Sequence, residues 1–162
     1  MATLTSSMFL IAMGIWLGGV VFFSFFTAPV IFRRLPRVQA TDLISVIFPT
    51  YYRLGYVCGS VMLVAGAYPI LCERDTLPGW TAELIAMLAT GLSVYAAKVV
   101  MPRVSRYRST AQSAAGTPAQ SEARRLHDQA HQLSMTLNLT VLILLLAEAV
   151  LYGWRVRVDF LG

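Results

Sequence analysis

Four long apolar stretches, separated by short polar or basic segments, dominate this chain. They cover about residues 8–31, 52–71, 81–101 and 133–154. Each stretch is roughly 20 residues long, and a helix of that length crosses the ~30 Å hydrocarbon layer of a bilayer. Because lipid offers no hydrogen-bond partners, a helix is the open-ended structure that satisfies the backbone there. The pattern predicts an all-α fold, an integral membrane four-helix bundle that forms a single domain over residues 1–162.

Composition supports a membrane protein and excludes a soluble enzyme. Hydrophobic residues make up 57% of the chain and charged residues 13%, whereas soluble domains carry about 25% charged residues. The net charge of +5 does not indicate a nucleic-acid partner, because the basic residues flank apolar runs and form no patch with interleaved aromatic side chains. The expected partner is therefore the lipid bilayer.

The distribution of basic residues predicts the orientation of the bundle. Ten lysines and arginines lie in or beside the first and third loops, and three lie on the opposite side. The positive-inside rule then places both basic loops in the cytoplasm and the N- and C-termini on the non-cytoplasmic side. The ten are Arg33, Arg34, Arg37, Arg53, Lys98, Arg103, Arg106, Arg108, Arg124 and Arg125, and the three are Arg74, Arg155 and Arg157.

The two basic loops carry different local signals. In the first cytoplasmic loop, Thr41 or Asp42 is a suitable cap for a short interfacial helix that ends at Pro49. In the third loop, the small residues at 109–116 are typical of a flexible linker. Pro118 then suits the first position of a helix. We expect this long fourth helix to begin in the cytoplasm and extend well below the membrane.

Small residues recur at four-residue spacing in the first two spans. Gly14 and Gly18 form one GxxxG motif, and Gly55 and Gly59 form another. Such motifs let helix backbones approach closely in a membrane. The favoured interpretation is packing within one bundle, and the alternative is a homodimer formed through the first helix.

Polar residues share one face of the leucine-rich fourth helix. His127, His131, Asn138 and Glu148 all project within about 60° of Ser134 on a helical wheel. Polar groups in a bilayer usually turn toward the bundle interior or a hydrated cavity. This face is therefore expected to form interhelical hydrogen bonds, with a ligand or ion path and a subunit contact as alternatives.

Three ionisable residues on this face suggest further chemistry. His127 and His131 are weak candidates for a metal site, because their i, i+4 spacing suits one ion but no third ligand accompanies them. No cofactor is predicted, although a metal ion or a haem shared across a dimer stays open. Glu148 is an intramembrane acid roughly 9 Å from Trp154 along the helix. A neutral hydrogen-bonding role is expected for it, with proton carrying as the alternative.

Four short motifs occur in a recognisable order along the chain. They are FRRLPR at residues 32–37, FPTYY at 48–52, MPR at 101–103 and the spaced set His131, Ser134 and Asn138. This order resembles the transmembrane protein 205-like family of small four-helix membrane proteins of uncharacterised function. The resemblance implies a minimal, bacterial member in the inner membrane, and no catalytic residues can be carried over from it.

These observations favour a non-enzymatic, multi-pass membrane protein. No nucleophile has a base at a supportive spacing, and no phosphate-binding glycine loop is present. We predict a cytoplasm-facing cluster of polar and basic side chains that binds, or helps transport, a small molecule, an anionic lipid or a metal. The alternative is a scaffold or accessory subunit whose polar residues only fix helix packing. The candidate ligand-binding residues are Arg33, Arg53, Arg103, His131, Ser134 and Asn138.

Overall fold

The computed structural model describes residues 2–72 and 77–161, with side chains at residues 3–72 and 80–154. Four long helices account for these ranges: α1 (residues 2–34), α2 (Arg37–Cys72), α3 (residues 77–113) and α4 (Pro118–Leu161). Each is long and apolar enough to cross a membrane, and no strand occurs in the described ranges. The predicted all-α, four-helix membrane bundle is confirmed. Arg74 and the side chains of Arg155 and Arg157, used in the orientation argument, lie outside what is described.

The helices pack in a closed ring around a small apolar core. Helix α1 packs on α2, α2 on α3, α3 on α4, and α4 returns to α1. The outer surface carries many large apolar side chains, which lipid accommodates and water does not. The core contains Trp16, Val20, Met62, Ala89 and Leu145, and the outer surface includes Ile11, Val64, Leu71 and Val150.

The ring has two distinct ends. The basic end holds the α1–α2 connection at residues 35–36 and the α3–α4 connection at residues 114–117, and the predicted basic loops lie there. The far end holds the α2–α3 connection after Cys72.

Helix α2 passes through Pro49 without a break, so the prediction of a separate interfacial helix is wrong. The hydroxyl of Thr41 donates to the Arg37 carbonyl one turn earlier, so it does not cap a helix start. A proline inside a helix costs a backbone hydrogen bond and about 3 kcal/mol. Here the ring of Phe48, just before the proline, stacks on Tyr52, just after it, at 5.7 Å. This packing holds both sides of Pro49 in one helix.

The basic connection between α3 and α4 is much shorter than predicted. Helix α3 continues to Ser113, so most of the expected flexible linker at 109–116 is helical, and that prediction is wrong. Its small residues pack against α4, where Ala111 and Ala123 are both buried. The chain turns at residues 114–117, where Gly116 adopts a φ of 81° that favours glycine. The predicted start of α4 at Pro118 is confirmed.

Helices α1 and α3 each contain a π-helical segment that the sequence analysis did not predict. The segments are Phe22–Thr27 and Ala96–Val100. Each ends just before a proline, Pro29 in α1 and Pro102 in α3. A proline lacks the N–H of a regular helix and its ring clashes with the carbonyl four residues earlier. The wider π turn relieves this conflict, and such turns are frequent at functional sites.

The two glycine motifs have different environments. An added Cβ at Gly55 would lie 3.0 Å from Trp16 Nε1, and one at Gly59 would overlap Thr90 Oγ1. These glycines therefore pack within the bundle, as predicted. No heavy atom of the described chain lies within 4 Å of a Cβ added at Gly14 or Gly18, apart from their own helix backbone and chain neighbours. The prediction that Gly14 and Gly18 pack within the bundle is therefore wrong, because this face of α1 points outward.

Candidate functional site

A network of polar side chains joins three helices in the half of the bundle toward the basic end. Tyr51 of α2 donates its hydroxyl hydrogen bond to Asn138 Oδ1 of α4. Asn138 Nδ2 in turn donates to Ser24 Oγ of α1 at 3.0 Å. Next to this chain, the hydroxyls of Tyr52 and Ser134 lie 3.1 Å apart and share a hydrogen bond. The polar face predicted on α4 therefore finds its partners on α1 and α2.

Aromatic packing fixes the tyrosines of this network. The Phe23 ring lies 4.9 Å from the Tyr51 ring and 5.5 Å from the Phe48 ring. Tyr51 and Tyr52 meet edge to face at 5.3 Å. Rings in contact at these distances restrict each other's rotation. The two hydroxyl groups are consequently held in position for Asn138 and Ser134.

A cavity of about 520 Å³ lies at the basic end, lined mainly by α2, α3 and α4, and we call it the basic cleft. Arg108 on its wall is paired with Asp42. The cleft lining contains four basic side chains. Together with the carboxylates of Asp42 and Asp128, they leave a net charge of two positive units around the cleft. Its charged and histidine lining consists of Arg37, Arg53, Lys98, Arg108, Asp128, His127 and His131.

A second cavity of about 520 Å³ lies beside it, and we call it the apolar groove. Its wall is mainly hydrocarbon and aromatic, and Ser24, Ser134 and Asn138 of the network contribute its polar atoms. Phe25 and Leu139 on its rim are exposed on the lipid-facing surface. The two cavities share a wall formed by Phe32, Ile44, Phe48 and His131.

The predicted site residues divide into two groups. Arg53 and His131 line the basic cleft, and Ser134 and Asn138 line the apolar groove, so the structure brings these four together. Arg33 and Arg103 are exposed and line neither cavity. The sequence analysis did not select several residues that the structure adds to the site: Ser24, Arg37, Tyr51, Tyr52, Lys98 and Arg108.

The two histidines stack on each other one turn apart. Their ring centroids are 6.3 Å apart and the planes differ by 6°. His127 Nδ1 lies 3.2 Å from the Val104 carbonyl oxygen of α3. Among the described residues, no group of three His, Cys, Asp or Glu side chains could hold a metal ion. The pair therefore offers two ligands for a metal, and its observed contact serves to tie α4 to α3.

Glu148, the predicted intramembrane acid, lies toward the far end of the bundle. Its side chain is 1% exposed, and neither carboxyl oxygen has a hydrogen-bond partner in the described chain. The charge of Glu148 interacts with that of Glu83 on α3, an acid that the sequence analysis did not select. One oxygen of Glu83 is also buried without a partner among the described residues.

Comparison with known proteins places the chain in a family without assigning an activity. Residues 11–113 match a family model described as "Domain of unknown function (DUF4149)". An "Uncharacterized protein" of Aquifex aeolicus (strain VF5) is 27% identical over 136 residues, which cover 84% of this chain and 87% of that protein. No solved structure matches the chain. Because the family model covers well over half of the 162 residues, this membrane protein belongs to the DUF4149 family.

Proposed function

We propose that this protein binds an anionic amphiphile, a membrane lipid with a phosphate or carboxylate headgroup, at its basic end. The headgroup occupies the basic cleft and an attached hydrocarbon chain lies in the apolar groove. The observation that carries the proposal is the shared wall of the two cavities, with excess positive charge on one side and hydrocarbon on the other. Neither cavity alone would favour a ligand with both properties.

The cleft supplies the attraction. Arg37 and Arg53 come from α2 and Lys98 from α3, so the three cations approach the cavity from two helices. Arginine forms charge-assisted, often bidentate hydrogen bonds with phosphate and carboxylate oxygens. Basic pockets between membrane helices on the cytoplasmic side are typical sites for anionic lipid headgroups.

The groove supplies the selection for a ligand with a hydrocarbon chain. A chain that leaves the surrounding lipid for an apolar groove gains little hydrophobic free energy, because both surroundings are apolar. We therefore assign most of the affinity to the headgroup and assign to the groove a preference among chains. Its outward rim at Phe25 and Leu139 allows a lipid to enter sideways from the bilayer.

The proposal is tested by native mass spectrometry of the protein in mild detergent with added phosphatidylglycerol or phosphatidylcholine. We expect the wild-type protein to retain the anionic lipid preferentially. The double variant Arg37→Gln, Arg53→Gln should weaken this binding by about 30-fold, since each basic residue near a lipid surface contributes about 1 kcal/mol.

A matched control uses the two arginines that lie outside the cavities. The double variant Arg33→Gln, Arg103→Gln removes the same charge from the same end of the bundle but should leave lipid retention close to that of the wild type. Equal losses in both double variants would refute a specific cleft and indicate general attraction of the basic end for anions.

A scaffold or accessory-subunit role is the second candidate. The observation in its favour is the outward face of Gly14 and Gly18 on α1, which leaves a GxxxG motif open to another helix. That helix could belong to a second copy, as in a homodimer, or to a different membrane protein. Wild-type protein that retains neither lipid, but forms a dimer disrupted by Gly14→Leu and not by Gly91→Leu, would favour this candidate.

We also propose that the protein is bacterial and resides in the inner membrane. The ten-to-three distribution of basic residues supports a bacterial inner-membrane protein whose basic end faces the cytoplasm. Alkaline phosphatase fused to the C-terminus should then be active, since that enzyme folds outside the cytoplasm. The order of the four sequence motifs supports a relation to the transmembrane protein 205-like family. We propose a non-enzymatic role throughout.

A further inference from the structure

Two acidic side chains lie near the far end of the bundle: Glu148 is buried, and Glu83 is half-buried with its Oε2 shielded from solvent. Glu83 is in the first third of α3 and Glu148 is in the last third of α4, and these two helices pack side by side. An added Cβ at Gly66 of α2 would overlap Glu83 Oε2 and would lie 3.5 Å from the Phe9 ring of α1. Oε2 of Glu83 therefore lies against α2, close to Phe9 of α1.

Glu148 lies near the same end of the bundle, on α4. It lies one turn before Tyr152, whose ring stacks on Phe9 at 5.8 Å. Phe9 thus lies beside Glu83 and stacks on the turn that follows Glu148, and the two acids are near enough for their charges to interact. Among the described residues, neither acid forms an ion pair. No described donor satisfies the two oxygens of Glu148 or Oε2 of Glu83.

We propose that Glu83 and Glu148 form a proton-binding site within the bundle, in which at least one carboxyl group holds an exchangeable proton. An isolated ionised carboxylate is very costly in an apolar interior, and two together add mutual repulsion. A bound proton removes one charge, and so lowers both the desolvation cost and the mutual repulsion of the pair.

The surroundings favour a proton over a metal ion. A hard metal cation takes six or more oxygen ligands, and this pair offers four carboxyl oxygens. Phe9 and Gly66, which lie beside Glu83, offer no side-chain oxygen, and Tyr152 is a titratable neighbour one turn along α4. A proton needs only one carboxylate oxygen. This site lies at the other end of the bundle from the basic cleft and does not depend on the proposed lipid binding.

Infrared spectroscopy of the full-length protein in lipid tests this proposal, because a protonated carboxyl group has a carbonyl band distinct from that of a carboxylate. In metal-free buffer at neutral pH, the wild-type protein should show this band, and transfer to D₂O should shift it. The double variant Glu83→Gln, Glu148→Gln should lose the band completely. Glu122→Gln, which changes an exposed acid on α4, should leave it unchanged.

Two results would overturn the assignment. The first is the absence of a protonated carboxyl band from the wild-type spectrum at neutral pH, which would mean that both acids are ionised. The second is a band that persists unchanged in the double variant. If that variant fails to fold, the wild-type spectrum recorded against rising pH decides the question. The band should outlast the ionisation of surface carboxyl groups, whose usual pKa is about 4.

Discussion

Gly59→Ala is expected to lower the free energy of unfolding by about 2–3 kcal/mol, at the upper end of the range for overpacking a tight core. The added methyl group would overlap Thr90 Oγ1, where α2 meets α3. Thr90 cannot easily rotate away, because it is buried and its hydroxyl donates to the Ala86 carbonyl at 2.7 Å. The two helices must therefore move apart. Thermal or denaturant unfolding in detergent measures the loss.

The matched control is Gly91→Ala, on the neighbouring helix. No heavy atom of the described chain lies within 4 Å of a Cβ added there, apart from the helix's own backbone and its chain neighbours. This variant should stabilise the protein by about 0.5–1 kcal/mol, since alanine suits a helix interior better than glycine. Thr90→Ala should partly rescue Gly59→Ala in a double-mutant cycle. Additive effects in that cycle would contradict the proposed contact between α2 and α3.

Asn138→Leu is expected to destabilise the bundle by about 2 kcal/mol. It removes the acceptor of the Tyr51 hydroxyl and the donor to Ser24, and so unlinks α4 from both α1 and α2. Hydrogen bonds between membrane helices contribute about 0.6 kcal/mol on average. The unpaired Tyr51 hydroxyl adds a desolvation cost of about 1–3 kcal/mol. The midpoint of thermal unfolding should fall accordingly.

Thr140→Val is the control for this prediction. Thr140 is also a polar residue of α4, but its hydroxyl donates to the Thr136 carbonyl of the same helix, so its loss should have little effect. Tyr51→Phe combined with Asn138→Leu should cost no more than Asn138→Leu alone. If Asn138→Leu is as mild as Thr140→Val, the network does not hold the helices together. Because Asn138 has this packing role, arginines of the cleft are better tests of ligand binding.

The number and class of the helices could be predicted from the sequence because bilayer thickness fixes how long an apolar run must be. Helix ends outside the apolar runs were less predictable. The stretch from Thr41 to Pro49 and the small residues at 109–116 look like helix breaks or linkers in isolation. Packing of Phe48 on Tyr52, and of Ala111 in the contact with α4, keeps both stretches helical.

The candidate site was predictable only in part. Ser134 and Asn138 lie on α4, where a helical wheel at 100° per residue places them on one face, and both line the apolar groove. Arg33 and Arg103 were selected for their charge beside the basic loops, and charge alone does not fix the direction in which a side chain points. Both are exposed and line neither cavity, whereas Lys98 lines the basic cleft.

The two π segments also determine where this bundle can deform. They interrupt the regular hydrogen-bond ladders of α1 and α3 near one level, where Ser24 binds Asn138, and Ala96 and Asn138 line one small cavity. Helices bend most readily at prolines and π turns, while α4 crosses this level unbroken. Helices α1 and α3 are thus the ones expected to bend at this level of the bundle. We expect bending at these turns to change the width of the basic cleft more than it disturbs the packed core around Trp16 and Met62.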